Sequence, residues 1–153
     1  MNGPIIHALG EVVREPVITR AQFVAAVESL LGTPVRHKGR VAGRGVDCVG
    51  VPLVALALLG IVVPEPESYS RLPGEDQLAA GLARYCDPIG LDVAQPGDLL
   101  QVFVGSQARH VHVVTGKNEC GQLLTVHAWG RGDRVQRAIP ERIRAAWRVR
   151  GLA

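Results

Sequence analysis

The sequence predicts an α+β fold, with helices in the first half and an antiparallel sheet in the second. Two observations carry this. Apolar residues recur at helical spacing before about residue 86, and short β-prone runs separated by glycine or polar turns follow after residue 98. Helices first and strands afterwards indicate a helix packed on a sheet, not alternating βαβ units.

Thr19-Arg-Ala-Gln22 has the form of a capping box, so a helix should follow. Phe23, Val27, Leu30 and Leu31 give its buried face, and Gly32-Thr-Pro34 stops it, which predicts a helix over roughly 19–31. Arg36 to Gly45 is glycine-rich and basic and reads as an irregular loop that brings backbone close to something else. It leads into Val46-Asp-Cys48. From there to Gly60 nearly every residue is apolar, as in a helix buried on most sides, with Asp47 as its N-cap. Pro52 should delay or bend that helix. A third helix is predicted from Glu75 to Cys86, with Leu78, Leu82 and Tyr85 on one face.

Gln95-Pro-Gly-Asp98 is a turn. Leu99 to Val104, Arg109 to Thr115, Gln122 to Trp129 and Arg134 to Ala138 then read as an antiparallel meander. Pro140-Glu141 should open a short helical turn, and Trp147 to Arg150 should close the sheet. Residues 19–153 are expected to form one domain, and residues 1–18, broken by Gly10 and Pro16, an N-terminal arm or an edge strand.

Composition excludes several classes of function. With 47% hydrophobic and 20% charged residues the chain can build a packed core. A net charge of +3 with scattered basic residues and 4% aromatics gives no stripe for nucleic acid. The longest apolar stretch, Val49 to Val63, is too short to cross a bilayer, and the N-terminus has no secretory signal pattern, so cytoplasmic synthesis is expected. Cys48, Cys86 and Cys120 are widely separated, which suggests neither a disulfide framework nor a cysteine zinc site.

One thiol stands out. A cysteine at a helix N-terminus beside an imidazolium is favoured as thiolate, and Cys48 sits where the second helix should begin. The preceding loop offers backbone amides for an oxyanion. A base must come from elsewhere in the chain. In Arg109-His-Val-His-Val-Val-Thr115 the two histidines are two apart, so His110 and His112 share a strand face, and His127 lies on the next strand. Spacing leaves open which of His110 and His112 is the base, with His127 available to orient it. The rival use of the three histidines is a catalytic zinc site. No cofactor is otherwise expected. His7 and His37 lie in terminal and loop segments and read as solvated or locally hydrogen-bonded.

Leu31-Gly-Thr-Pro34, Gly45-Val-Asp-Cys-Val-Gly50, Gln95-Pro-Gly-Asp-Leu-Leu100, His110-Val-His-Val-Val-Thr-Gly116 and Val126-His-Ala128 together resemble the NlpC/P60 family in order and approximate spacing, closest to its branch encoded beside phage tail genes. The resemblance covers most of the chain from about residue 20. It implies a papain-like fold, a Cys-His-His triad and cleavage of amide bonds in peptidoglycan stem peptides. It implies that His110 is the base, Cys48 the nucleophile and His127 the third member, with His112 replacing the family's usual glycine. It also implies recognition of the peptide's amino end by a Ser and a Tyr, where this chain has Val49 and Val35. Partners expected on this basis are the peptidoglycan peptide and phage tail proteins, with action in a virion or in the bacterial envelope. The alternative function is a structural tail-assembly protein, or an acyltransferase, on the same fold.

Overall fold

The computed structural model describes residues 17–153 apart from 67 and 72, together with the backbone of two short strands at 4–6 and 12–14. Those strands, β1 (Pro4–Ile6) and β2 (Val12–Arg14), pair antiparallel with each other. The rest of 1–16, on which most of the arm or edge-strand expectation falls, lies outside the described residues.

Helix α1 (Arg20–Glu28) starts at the capping box: the Gln22 amide donates to the Thr19 hydroxyl at 3.1 Å, and the Thr19 amide donates to Gln22 Oε1 at 2.9 Å. Phe23, Val27 and Leu30 are fully buried, and Gly32 ends the segment with a φ of +86°, a conformation glycine adopts without a Cβ clash. The basic loop contains a two-residue hairpin, β3 (Arg40–Val41) and β4 (Gly45–Val46). Its glycines are required by close approach: a Cβ on Gly39 would stand 2.5 Å from the Gly45 backbone. Helix α2 (Gly50–Leu58) follows, and Pro52 falls in its first turn, where its missing N–H costs little. Helix α3 (Glu75–Ala83) is shorter than expected. Its N-terminus is tied to the sheet, because the Ala108 amide donates to Glu75 Oε1 at 2.8 Å and the Glu75 amide to Gln107 Oε1 at 3.1 Å.

The main sheet has six antiparallel strands in the order β5-β10-β6-β7-β8-β9. They are β5 (Cys86–Ile89), β6 (Leu99–Val104), β7 (Gln107–Lys117), β8 (Leu123–His127), β9 (Gln136–Ala138) and β10 (Ile143–Val149). Two expectations are corrected here. Cys86 begins an edge strand and does not end a helix, because it pairs with Val149 of β10, and Pro88 is tolerated at an edge that needs no further donor. Pro140-Glu141 opens no helical turn. The chain passes into β10, whose Ala145 to Trp147 pair with Leu99 to Gln101 of β6.

One face of the sheet meets the helices. Leu99, Val111, Val113, Val126 and Trp147 pack with Phe23 and Val27 of α1 and with Val51, Val54 and Ala55 of α2. Each fully buried side chain of this kind contributes roughly 1.5–3 kcal/mol. The opposite face carries a smaller cluster of Ala94, Leu100, Val102, Val114 and Ala146. Asp98, in the Gln95-Pro-Gly-Asp98 turn, joins chain ends: its fully buried carboxylate accepts from Arg20 at 2.8 Å and from Arg148 at 2.9 and 3.1 Å. Burial opposes the Asp98 charge, but those arginines outweigh it and hold the carboxyl below its ordinary range.

Candidate active site

Asp47 organises the start of α2. Its Oδ1 accepts from the Gly50 amide at 2.8 Å, and its carbonyl accepts from the Val51 amide at 3.1 Å, so the side chain caps the turn that contains Cys48. Three more donors converge on the same carboxylate: Arg40 at 2.9 Å, the Lys38 amide at 2.8 Å and the Tyr69 hydroxyl. Arg40 in turn donates to the Tyr69 oxygen at 2.7 Å and to Glu65 at 3.2 Å. Gly50 must lack a side chain, because a Cβ there would meet the Gly39 carbonyl at 2.6 Å.

Cys48 keeps partial exposure as a residue, but its thiol is surrounded by protein. Burial pushes the thiol up to about 12, and Asp47 adds to this. The amides of Val111, Val49 and Cys48 itself work in the other direction without winning. The helix-start thiolate expected from sequence is therefore not the resting form; desolvation exceeds the help of the amides.

β7 carries the histidines. His110 and His112 alternate with the core residues Val111 and Val113, and their rings meet edge-on at 4.8 Å. His110 Nε2 lies 2.8 Å from His127 Nδ1 on β8. His110 Nδ1 is buried and has no hydrogen-bond partner among the described residues. A buried acceptor left unpaired is cheaper than a buried N–H left unpaired, so the proton is assigned to Nε2, which donates to His127 and leaves a lone pair on Nδ1. Burial lowers His110 to about 3, with the neighbouring His127 adding to the effect, so the ring is neutral. Trp129 covers it at 4.8 Å between centroids.

His112 stacks on His127 at 4.1 Å with ring planes 14° apart. Its Nδ1 is 2.7 Å from the Thr125 hydroxyl. One nitrogen from each of the three rings lies within 4.8 Å of the others, and among the described residues these are the side chains that could hold a metal.

The structure brings His110, His112 and His127 into one cluster. No hydrogen bond joins the Cys48 thiol to any of them. Its link to β7 is the Val111 amide, one residue on from His110. Val49 and Val111 line one end of an apolar cavity of about 370 Å³ that runs between α2, α3 and the sheet, with Leu53, Tyr69, Leu78 and Leu99 on its walls. Val35 is held at the loop edge by the Asp133 carbonyl, which accepts its amide at 2.9 Å. Sequence reasoning missed Arg40, Tyr69 and Trp129. Tyr69 lies in a proline-bearing loop, and no local pattern relates it to a carboxylate 22 positions earlier.

No protein-family model matches the sequence, and no curated protein matches it. Solved structures do. The chain aligns with the NlpC/p60 domain of the peptidoglycan hydrolase SagA at TM-score 0.56 and 23% identity, covering 82% of this chain and 97% of that one. A protein of Staphylococcus aureus similar to lipoproteins of the NLP/P60 family gives 0.59 and 19%, over 85% of this chain and 41% of that one. A mutated form of RipA, the Resuscitation Promoting Factor Interacting protein, gives 0.54 and 22%, over 97% and 70%. At these identities what is shared is the fold.

Proposed function

We propose that this chain, whose fold is that of NlpC/P60 domains, is a thiol hydrolase that cleaves amide bonds in the stem peptides of peptidoglycan. The observation that carries the reading is the His110–His127 pair: a neutral imidazole oriented by its neighbour, with a free lone pair on the strand that adjoins the Cys48 turn. SagA, a structural neighbour, is a peptidoglycan hydrolase, which supports the choice of substrate.

The chemistry follows from the neutral resting pair. His110 Nδ1 takes the Cys48 proton as sulfur attacks the scissile carbonyl, and the amides of Cys48 and Val49, which lie against the thiol, are the donors assigned to the oxygen that gains charge. His127 accepts the His110 Nε2–H throughout and stabilises the imidazolium. When the C–N bond breaks, His110 gives its proton to the leaving amine, and a thioester on Cys48 remains. Water then attacks, with its proton passing to His110, and the C–S bond breaks to return the thiol. The motifs shared with the phage-tail branch support a role in virion entry at the bacterial envelope, with tail proteins as partners. Val49 and Val35 support a peptide-end preference different from that of domains with Ser and Tyr there.

Mass spectrometry of a muropeptide digest tests the function. The wild-type chain should release new stem-peptide fragments and Cys48→Ala none; fragments from the folded alanine variant would sink the proposal.

A further inference from the structure

We propose that His110, His112 and His127 form a binding site for a divalent cation of the zinc class, and that the bound cation switches the thiol chemistry off. His112 is the residue that makes the difference. The Thr125 hydroxyl has one hydrogen and donates it to the Ala138 carbonyl at 3.2 Å, so it must accept at 2.7 Å from His112 Nδ1. His112 is thereby fixed as the Nδ1–H tautomer with a lone pair on Nε2. Metal-ligating histidines are commonly oriented by an oxygen acceptor that receives the second ring N–H, the place the Thr125 hydroxyl takes here.

The other requirements are met by the same cluster. One nitrogen from each ring lies within 4.8 Å of the rest, and a neutral imidazole offers a lone pair to a metal. The 2.8 Å between His110 Nε2 and His127 Nδ1 is shorter than the ~3.3 Å between ligands of a tetrahedral zinc, so the rings need to part by roughly half an ångström. Three imidazoles without a carboxylate suit zinc, cobalt, nickel or copper and not magnesium or calcium.

Inhibition follows from proton placement and rests on the peptidase reading. A cation on His110 Nε2 and His127 Nδ1 replaces the proton they share. To remain neutral, His110 must carry that proton on Nδ1, the atom that would otherwise accept from Cys48. The base is then held in the wrong tautomer.

Cobalt(II) titration of the full chain followed by visible absorption tests the site apart from the enzyme chemistry. Cys48→Ala should bind one cobalt with tetrahedral bands, which excludes the Cys48 thiolate as the ligand. His112→Asn keeps a donor for Thr125 but lacks Nε2, and should weaken binding beyond the roughly 10–100-fold that loss of an outer-shell partner costs. Absence of stoichiometric binding to Cys48→Ala overturns the proposal, and so does equal affinity in a folded His112→Asn. Should His112→Asn fail to fold, the Cys48→Ala titration decides alone. On the wild-type chain, stoichiometric zinc should stop muropeptide hydrolysis and a chelator restore it. Binding without any hydrolysis to inhibit would leave the site standing and remove the peptidase reading.

Discussion

His127 Nδ1 stands 2.8 Å from His110 Nε2, while the second ring nitrogen of His110 is buried without a partner among the described residues. That asymmetry assigns different work to the two ends of one imidazole. On the proposed reading, the paired end sets the tautomer and the unpaired end is the base.

Removing the orienting ring should therefore cost rate more than stability. His127→Ala is expected to lower kcat by roughly 10²–10⁴, and His127→Asn, whose amide oxygen can accept from Nε2, should recover part of it. Steady-state hydrolysis of a defined muropeptide reads the effect. An unchanged kcat in His127→Ala would remove this residue from the mechanism.

The resting thiol should be sluggish. With burial pushing Cys48 up to about 12, iodoacetamide should label it slowly at pH 7 and progressively faster toward pH 10 and above. Exposed Cys120 serves as the internal comparison in the same peptide map. Labelling of Cys48 faster than Cys120 at pH 7 would mean a thiolate already formed, and the concerted transfer to His110 would have to be given up.

The buried histidines also fix how stability responds to acid. His110 and His112 are lowered to about 3 and about 2, so below the ordinary histidine range the unfolded chain takes up protons that the folded chain refuses. Stability is present above about pH 6.5 and is lost as pH falls from there toward 3, with a slope of at most about 1.4 kcal/mol per pH unit for each histidine. Urea midpoints between pH 7 and pH 4 measure it. His112→Asn should flatten the dependence, and a wild-type midpoint that does not move would contradict the burial argument.

Asp47 should matter for the fold as well as for the site. Asp47→Ala leaves the partly buried Arg40, the Tyr69 hydroxyl and the Gly50 amide without their common acceptor, and should destabilise by about 3 kcal/mol or more. Tyr69→Phe removes two hydrogen bonds, one donated to Asp47 and one accepted from Arg40, and should cost the smaller amount of roughly 1–2 kcal/mol. Urea unfolding of the two variants decides, and equal losses would show that the convergence on Asp47 is unimportant.

Much of this arrangement was legible in the sequence wherever the controlling interactions are local. The capping box at Thr19, the apolar run after Asp47 and the period-2 pattern around His110 each act within a few residues, and each produced its element. Cys86 was misread because Glu75 to Cys86 continues a helical pattern, while its strand pairing depends on Val149, 63 positions away. The same limit hid Tyr69 and Arg40, which reach the Cys48 turn only through the folded loop. The direction of the Cys48 shift was unreadable for a related reason: a helix start can be inferred from one segment, but desolvation is produced by all the segments packed around it.

The most direct measurement is acid-quenched intact mass analysis, followed by peptide mapping, after mixing the wild-type chain with a muropeptide substrate. A thioester adduct on Cys48 that appears and decays in step with hydrolysis is the expected result. Hydrolysis with no adduct, or an adduct on Cys86 or Cys120, would contradict the assignment of Cys48 as the nucleophile.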